Sequence, residues 1–156
     1  MRFIHTADIH LGASPDAGSA YSQRRAEELW NSLERLVKVC EEEQVDLLLI
    51  AGDLFHRQPL LRELKEVDYL FSQLTHTKIV FIAGNHDYLK PSSYYLTYQW
   101  KSQVYPLLEQ TMGFVEFEEL GTSVYGFSYG QKEIREALYT DAFPQKKQPV
   151  EILIAH

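Results

Sequence analysis

The sequence predicts an α/β protein in which helices cover a parallel sheet. Short apolar runs bounded by glycine alternate with amphipathic segments in the order β-α-β-α-β along the first half of the chain. Because parallel neighbours need crossover connections, this alternation favours a parallel sheet with right-handed crossovers. The composition agrees, since 45% of the 156 residues are hydrophobic and 24% are charged, as in an ordinary globular domain. The length predicts one domain over residues 1–156.

Three strands and two helices are predicted in the first half of the chain. The strands fall at residues 2–6, 45–51 and 78–83, where leucine and β-branched residues are concentrated. One helix covers about residues 19–43, because apolar residues share a helical face there: Leu29, Leu33, Leu36, Val37 and Cys40. A second helix covers about residues 59–75 by the same rule, with Leu60, Leu64, Val67, Phe71 and Leu74.

The second half of the chain predicts a smaller, β-rich region. Strand-like segments at residues 114–118 and 123–129 flank Gly121 and indicate a hairpin. A short helix is expected at about residues 131–138, followed by a polar loop and a buried strand at residues 150–155. The aromatic segment at residues 94–100 has two interpretations, base stacking or, more commonly, packing in the core or an interface.

The negative net charge of the chain favours a site in which metal ions attract an anionic substrate. A formal net charge of -7 argues against binding of nucleic acid through overall basicity, because Lys and Arg contacts to phosphate dominate that affinity. An anionic substrate then needs local basic groups or bound cations. No apolar run approaches the roughly 18 residues of a membrane helix, and no secretory signal is present. We therefore expect a cytoplasmic protein that does not associate with membranes.

Polar side chains follow four predicted strands at the point where each strand ends. A small residue comes first in each case, and the polar residues are Asp8, Asp53, Asn85 and His156. In α/β sheets ligands bind beyond the carboxyl ends of the strands, so these side chains are expected to converge. His10, His86 and Asp87 lie within two residues of them and extend the set.

The residue types predict a catalytic metal centre. Carboxylate, amide oxygen and imidazole suit Mn, Fe or Zn, and the absence of cysteine from the set disfavours a structural zinc site. Two such ions bridged by one carboxylate activate a water and stabilise both oxygens of a phosphoryl displacement. Singly, each turn would have an ordinary structural role; together at successive strand ends they favour hydrolysis of phosphate esters.

These motifs resemble those of the calcineurin-like metallophosphoesterases. The resemblance is carried by Asp8-Ile9-His10, Gly52-Asp53, Gly84-Asn85-His86-Asp87 and the strand-terminal His156. The residues around the first two motifs, at positions 3–12 and 51–56, look like the DNA-repair exonuclease branch, the nuclease subunit of the SbcD type. The resemblance implies a four-layer α/β/β/α sandwich with two divalent ions, most simply Mn²⁺, with Fe or Zn as alternatives.

The resemblance also implies a role for each site residue. One metal would be held by Asp8, His10 and Asp53, and the second by Asp53, Asn85 and His156, so that Asp53 bridges them. His86 would approach the substrate phosphate or protonate the leaving oxygen, with Asp87 orienting its imidazole. His56 would lie near the substrate, although a loop or helix-cap role is an equal alternative.

One departure from the family pattern affects the expected extent of the protein. The last family motif, Gly-His-x-His, would give each metal one further ligand and is absent from the chain. We therefore expect an incomplete second sheet, a natural protein that continues past His156, and doubtful activity of the 156-residue chain.

The implied function is that of a DNA exonuclease acting in repair. Its expected partners are DNA, a second copy bound through the helix near residues 19–43 or 59–75, and a coiled-coil ATPase. Two alternatives stay open at this point. The same chemistry serves a phosphatase or cyclic-nucleotide phosphodiesterase, and the same fold serves a non-catalytic scaffold.

Overall fold

A computed structural model describes residues 1–135, 143 and 145–156, which form two sheets and two helices. The larger sheet is entirely parallel and has the strand order β1-β2-β3-β4. Its strands are β1 (Phe3–Thr6), β2 (Leu47–Ala51), β3 (Lys78–Ile82) and β4 (Val104–Pro106). The helices α1 (Ser22–Glu42) and α2 (Leu61–Phe71) provide the first two crossovers. The predicted β-α-β-α-β order is therefore confirmed.

The smaller sheet has three strands and mixed pairing. It consists of β5 (Gly113–Phe117), β6 (Thr122–Gly126) and β7 (Val150–Leu153). β5 and β6 form the predicted antiparallel hairpin, and β7 pairs with β6 in parallel. In this hairpin Gly121 adopts a left-handed φ of 57°, which glycine tolerates. The mixed α/β architecture with a small second sheet agrees with the predicted sandwich.

Alternate residues of the central strands build two separate cores. Leu48 and Ile50 pack with the buried faces of α1 and α2, whereas Leu47 and Leu49 pack against the smaller sheet. A strand presents successive side chains on opposite faces, so a strand apolar at every position must be covered on both. The described residues thus form three of the four expected layers, because no α-helix follows α2 among them.

Two predictions about secondary structure differ from the structure. β4 has no counterpart among the predicted strands, because a three-residue edge strand that ends in Pro106 carries no periodic signal. The helix expected at residues 131–138 is absent from residues 131–135, and its remainder lies outside the described residues. No helix in the described part of the chain is long and apolar enough to cross a membrane.

A buried carboxylate ties α2 to the segment that leads into β4. Asp68 is 4% exposed and accepts hydrogen bonds from the Tyr98 hydroxyl, the Ser102 hydroxyl and the backbone amides of Lys101 and Ser102. Burial alone would raise the pKa of Asp68, but the hydrogen bonds from Ser102, Lys101 and Tyr98 outweigh it and lower the pKa. The carboxylate therefore stabilises the fold in its ionised form.

Asp68→Asn is expected to lower the free energy of unfolding by about 1–3 kcal/mol at pH 7, because an amide nitrogen would face hydrogen-bond donors. A carboxylate whose pKa is lowered by folding stabilises the protein above its unfolded pKa of about 3.9, and that contribution is lost as pH falls through the folded pKa. Urea unfolding should therefore show a smaller difference between variant and parent at pH 3 than at pH 7. Asp16→Asn, at an exposed carboxylate, is the control. A difference independent of pH would contradict this account.

Candidate metal centre

The loops that follow β1 and β2 run side by side and carry the first ligands. The backbone amide of Asp8 donates to the Gly52 carbonyl at 3.2 Å, and that of His10 donates to the Asp53 carbonyl at 3.0 Å. The amide of Leu11 donates to the Leu54 carbonyl at 2.9 Å. The parallel pairing of the two strands thus continues beyond their ends, which places the side chains after one strand beside those after the other.

Three of the predicted ligands have left-handed backbone conformations. The φ angles are 55° at Asp8, 52° at His10 and 52° at Asp53. Residues other than glycine rarely adopt these angles, and such strain is common at functional sites. The hydrogen bonds between the two loops hold this backbone in place. Sequence reasoning did not foresee these conformations, although aspartate tolerates them better than most residues.

Asp53 lies at the centre of the predicted ligand set. Its side chain is 1% exposed, and its Oδ2 lies 3.8 Å from His10 Nε2 and 3.5 Å from His156 Nε2. Its Oδ1 accepts a hydrogen bond from the backbone amide of His86 at 2.9 Å. Asp8 Oδ1 is 3.4 Å from His10 Nε2. The ligand atoms of Asp8, His10 and Asp53 all lie within 4.8 Å of one another, as one metal site requires.

The second predicted set also converges on Asp53. His156 Nδ1 lies 2.9 Å from the Ala51 carbonyl, and a proton held on Nδ1 would leave the Nε2 lone pair to a cation. That Nε2 lies 2.8 Å from Asn85 Oδ1 and 3.5 Å from Asp53 Oδ2. His156, Asn85 and Asp53 thus offer an imidazole nitrogen, an amide oxygen and a carboxylate oxygen, a set of donor atoms that fits a divalent cation.

Two glycines make the close approach of these loops possible. Gly52 has a φ of 88°, and a Cβ built on it would lie 2.5 Å from the His156 ring. A Cβ on Gly84 would lie 2.6 Å from the Asp53 backbone nitrogen and closer still to its Oδ1. Any larger residue at either position would collide with a predicted ligand.

His56 and His86 stand beside His10 at one side of the ligand set. The ring centroids of His56 and His86 are 4.7 Å apart in a stacked arrangement, and those of His10 and His86 are 4.8 Å apart. Desolvation and the neighbouring His86 and His10 lower the pKa of His56, which favours its neutral form near pH 7. The structure thus brings both histidines to the predicted site.

The predicted role of Asp87 is not the one that the structure shows. His86 Nδ1 lies 3.1 Å from the His56 carbonyl, so a backbone oxygen, and not Asp87, orients the imidazole. Asp87 is fully buried and accepts hydrogen bonds from the amides of Phe55 and Gly84 and from the Tyr95 hydroxyl. The expected contact would require the carboxylate to leave these three donors.

Two tyrosines that sequence reasoning did not assign to the site contact its residues. Tyr129 donates its hydroxyl to the His156 carbonyl at 3.0 Å, and its ring meets the His156 ring edge to face at 5.6 Å. Tyr95 reaches Asp87 from the aromatic segment. Of the two interpretations of that segment, core packing is correct for Tyr95, which is 1% exposed. Nothing in local sequence pattern distinguishes these tyrosines from other core residues.

Comparisons with known proteins match the whole chain to one family. The sequence profile of the family described as calcineurin-like phosphoesterase matches residues 1–156. The chain is 37% identical over 90 residues to the DNA double-strand break repair protein Mre11 of Methanosarcina mazei, covering 56% of this chain and 14% of that protein. It is 36% identical over 91 residues to a subunit of the SbcCD nuclease of Bacillus subtilis, covering 56% and 22%.

A third relative aligns over more of the chain. The uncharacterized metallophosphoesterase YhaO of Bacillus subtilis is 30% identical over 150 residues, which is 87% of this chain and 35% of that protein. The chain therefore spans only 14% to 35% of the length of these three relatives.

Proposed function

The chain belongs to the calcineurin-like phosphoesterase family, and we propose that it is a metal-dependent phosphodiester hydrolase that acts on DNA, as an exonuclease in DNA repair. The observation that carries the proposal is the position of Asp53, whose buried Oδ2 lies between His10 and His156. A carboxylate between two ligand sets is the arrangement that a dinuclear centre needs.

The predicted ligands form two sets that share Asp53. Asp8 and His10 would hold one ion with it, and Asn85 and His156 would hold the other, most simply Mn²⁺, with Fe or Zn as alternatives. When bound, two divalent cations activate water and neutralise charge on the phosphate. They would also offset the acidic character of the chain, whose formal net charge is -7.

His86 is suited to proton transfer at Nε2. The His56 carbonyl, 3.1 Å from Nδ1, can only accept a hydrogen bond and so keeps a proton on that nitrogen. Nε2 is then the atom that gains or gives a proton, which a general acid for the leaving oxygen requires. The stacked His56 ring restricts the orientation of His86 and would lie near the substrate.

DNA is proposed as the substrate because two relatives carry names that concern DNA breaks or nuclease activity. The family resemblance implies a coiled-coil ATPase partner, and the name of the Bacillus subtilis nuclease relative, one subunit of a larger enzyme, supports its inclusion in the proposal. A homodimer is proposed through α1 or α2. On α2, Leu61 and Tyr69 are exposed at positions eight apart, on one face of the helix.

The test compares two substrates for the purified natural protein that carries this chain, with Mn²⁺. We expect nucleotides to be released from the ends of linear duplex DNA, and Asp8→Ala to abolish the release. Hydrolysis of a small phosphodiester without DNA cleavage would transfer the proposal to the phosphatase or cyclic-nucleotide phosphodiesterase class. Binding of DNA or protein without any hydrolysis would favour a scaffold.

His86→Ala is expected to lower kcat by about 10²–10⁴-fold, the usual contribution of a general acid, while Mn²⁺ binding persists. Initial rates and isothermal titration calorimetry with Mn²⁺ separate the two effects. His76→Ala is the matched control, because His76 pairs with Asp46 at 2.7 Å and has no place in the ligand set. Loss of Mn²⁺ affinity in His86→Ala, or a kcat equal to that of His76→Ala, would contradict the assigned role.

A further inference from the structure

We propose that the Tyr95 hydroxyl is a positioning group for the metal centre. It completes a buried connection, here called the Asp87 strap, which consists of the Asp87 carboxylate and its three donors: the Phe55 amide, the Gly84 amide and the Tyr95 hydroxyl. This inference rests on the proposed function of the centre. It assigns to Tyr95 a role in metal affinity beyond its packing in the core.

The strap joins two of the loops that carry predicted ligands. Asp87 Oδ2 accepts from the Phe55 amide at 3.1 Å, and Phe55 lies two residues after Asp53. Asp87 Oδ1 accepts from the Gly84 amide at 2.8 Å, and Gly84 directly precedes Asn85. One carboxylate therefore fixes the position of the Asp53 loop relative to the Asn85 loop.

Tyr95 holds that carboxylate in place. Its hydroxyl donates to Asp87 Oδ2 at 2.8 Å, and the Tyr95 ring lies 5.2 Å from the Phe81 ring and 6.1 Å from the Phe55 ring. Asp87 is 0% exposed and Tyr95 is 1% exposed. A fully buried carboxylate needs its hydrogen-bond donors, because bulk water does not reach it to replace one.

Loss of the Tyr95 hydroxyl should therefore change the positions of the metal ligands, because the Asp87 strap holds the loops that carry them. Without the hydroxyl, the Asp87 carboxylate keeps only the Phe55 and Gly84 amides as donors, and its orientation between the two loops is less restricted. Removal of a group that does not bind the metal but orients its ligands typically lowers metal affinity by about 10–100-fold. The aromatic ring of phenylalanine would keep the packing with Phe81.

The chain contains a matched tyrosine for comparison. Tyr98 donates its hydroxyl to Asp68 Oδ2 at 2.9 Å, and Asp68 is also buried and also accepts backbone amides. Tyr98→Phe thus removes the same group from the same kind of partner. Asp68 lies on α2 and not in the ligand loops, so only a general structural effect is expected there.

The experiment measures Mn²⁺ affinity of the unaltered natural protein and of its Tyr95→Phe and Tyr98→Phe variants by isothermal titration calorimetry, with thermal unfolding of each without metal. We expect Tyr95→Phe to weaken Mn²⁺ binding by about 10-fold or more and Tyr98→Phe to leave it within about 2-fold, although both lower the unfolding temperature. Equal affinities in all three proteins would overturn the role of Tyr95 and leave the proposed function intact. No Mn²⁺ binding by the unaltered natural protein would overturn the metal centre and the inference together.

A second measurement applies if Tyr95→Phe does not fold. In the unaltered chain, Mn²⁺ should slow amide hydrogen exchange at Phe55 and Gly84 more than at Lys101 and Ser102, whose amides donate to Asp68. Equal slowing at both pairs would overturn the coupling between the strap and the centre.

Discussion

Asp53→Asn is expected to reduce Mn²⁺-dependent hydrolysis by about 10³-fold or more, the loss of roughly 4 kcal/mol of transition-state stabilisation. The side-chain oxygen of the new asparagine would keep the hydrogen bond from the His86 backbone amide, which in the unaltered protein goes to Asp53 Oδ1. The amide nitrogen would then take the place of Oδ2 between His10 and His156, where it cannot bind a cation. Both proposed ions would lose their shared ligand.

Initial rates and calorimetric Mn²⁺ titration check this prediction, and Asp46→Asn is the control. Asp46 is a carboxylate beside the opposite end of β2, where it pairs with His76 and accepts the Arg2 amide. Its replacement should lower stability but leave hydrolysis and Mn²⁺ binding unchanged. Two tightly bound Mn²⁺ ions in Asp53→Asn would show that Asp53 is not the bridge.

Gly84→Ala is expected to abolish metal binding although no proposed ligand is replaced. The added Cβ would lie 2.6 Å from the Asp53 backbone nitrogen, so rotation of a side chain cannot relieve the collision. Overpacking of this kind costs about 1–3 kcal/mol of stability, and here the displaced group is the shared ligand. We expect Mn²⁺ binding and hydrolysis to fall to background while the far-UV circular dichroism stays close to that of the parent.

Gly113→Ala is the matched control for this prediction. A Cβ there would come no closer than 3.8 Å to its neighbours, which is an ordinary contact, and Gly113 lies in β5 of the smaller sheet. Its Mn²⁺ affinity should equal that of the parent. Normal Mn²⁺ binding by Gly84→Ala would mean that the Asp53 and Asn85 loops can move apart without loss of metal affinity. That result would also contradict the proposed role of the Asp87 strap.

Local sequence pattern is sufficient to predict the first three strands, the two helices between them and the candidate ligands. The strands β2 and β3 are apolar at almost every position, and the helices repeat their apolar residues with helical spacing. These signals are local and periodic, and they persist whatever the chain packs against. The ligands could be named because Asp8, Asp53 and Asn85 each follow the end of such a strand.

The contacts that hold the ligand loops together are visible only in the folded chain. Tyr95 donates a hydrogen bond to Asp87, and the His56 carbonyl orients His86, although sequence pattern links neither pair. The left-handed backbone at Asp53 likewise has no signature in the local sequence. Asp87 is the clearest example of a role that sequence does not predict. Its place in the motif suggests that it orients His86, but in the buried position that it occupies it accepts hydrogen bonds from three other donors. Which donor a buried carboxylate meets depends on contacts between distant segments, and such contacts leave no periodic trace in the chain.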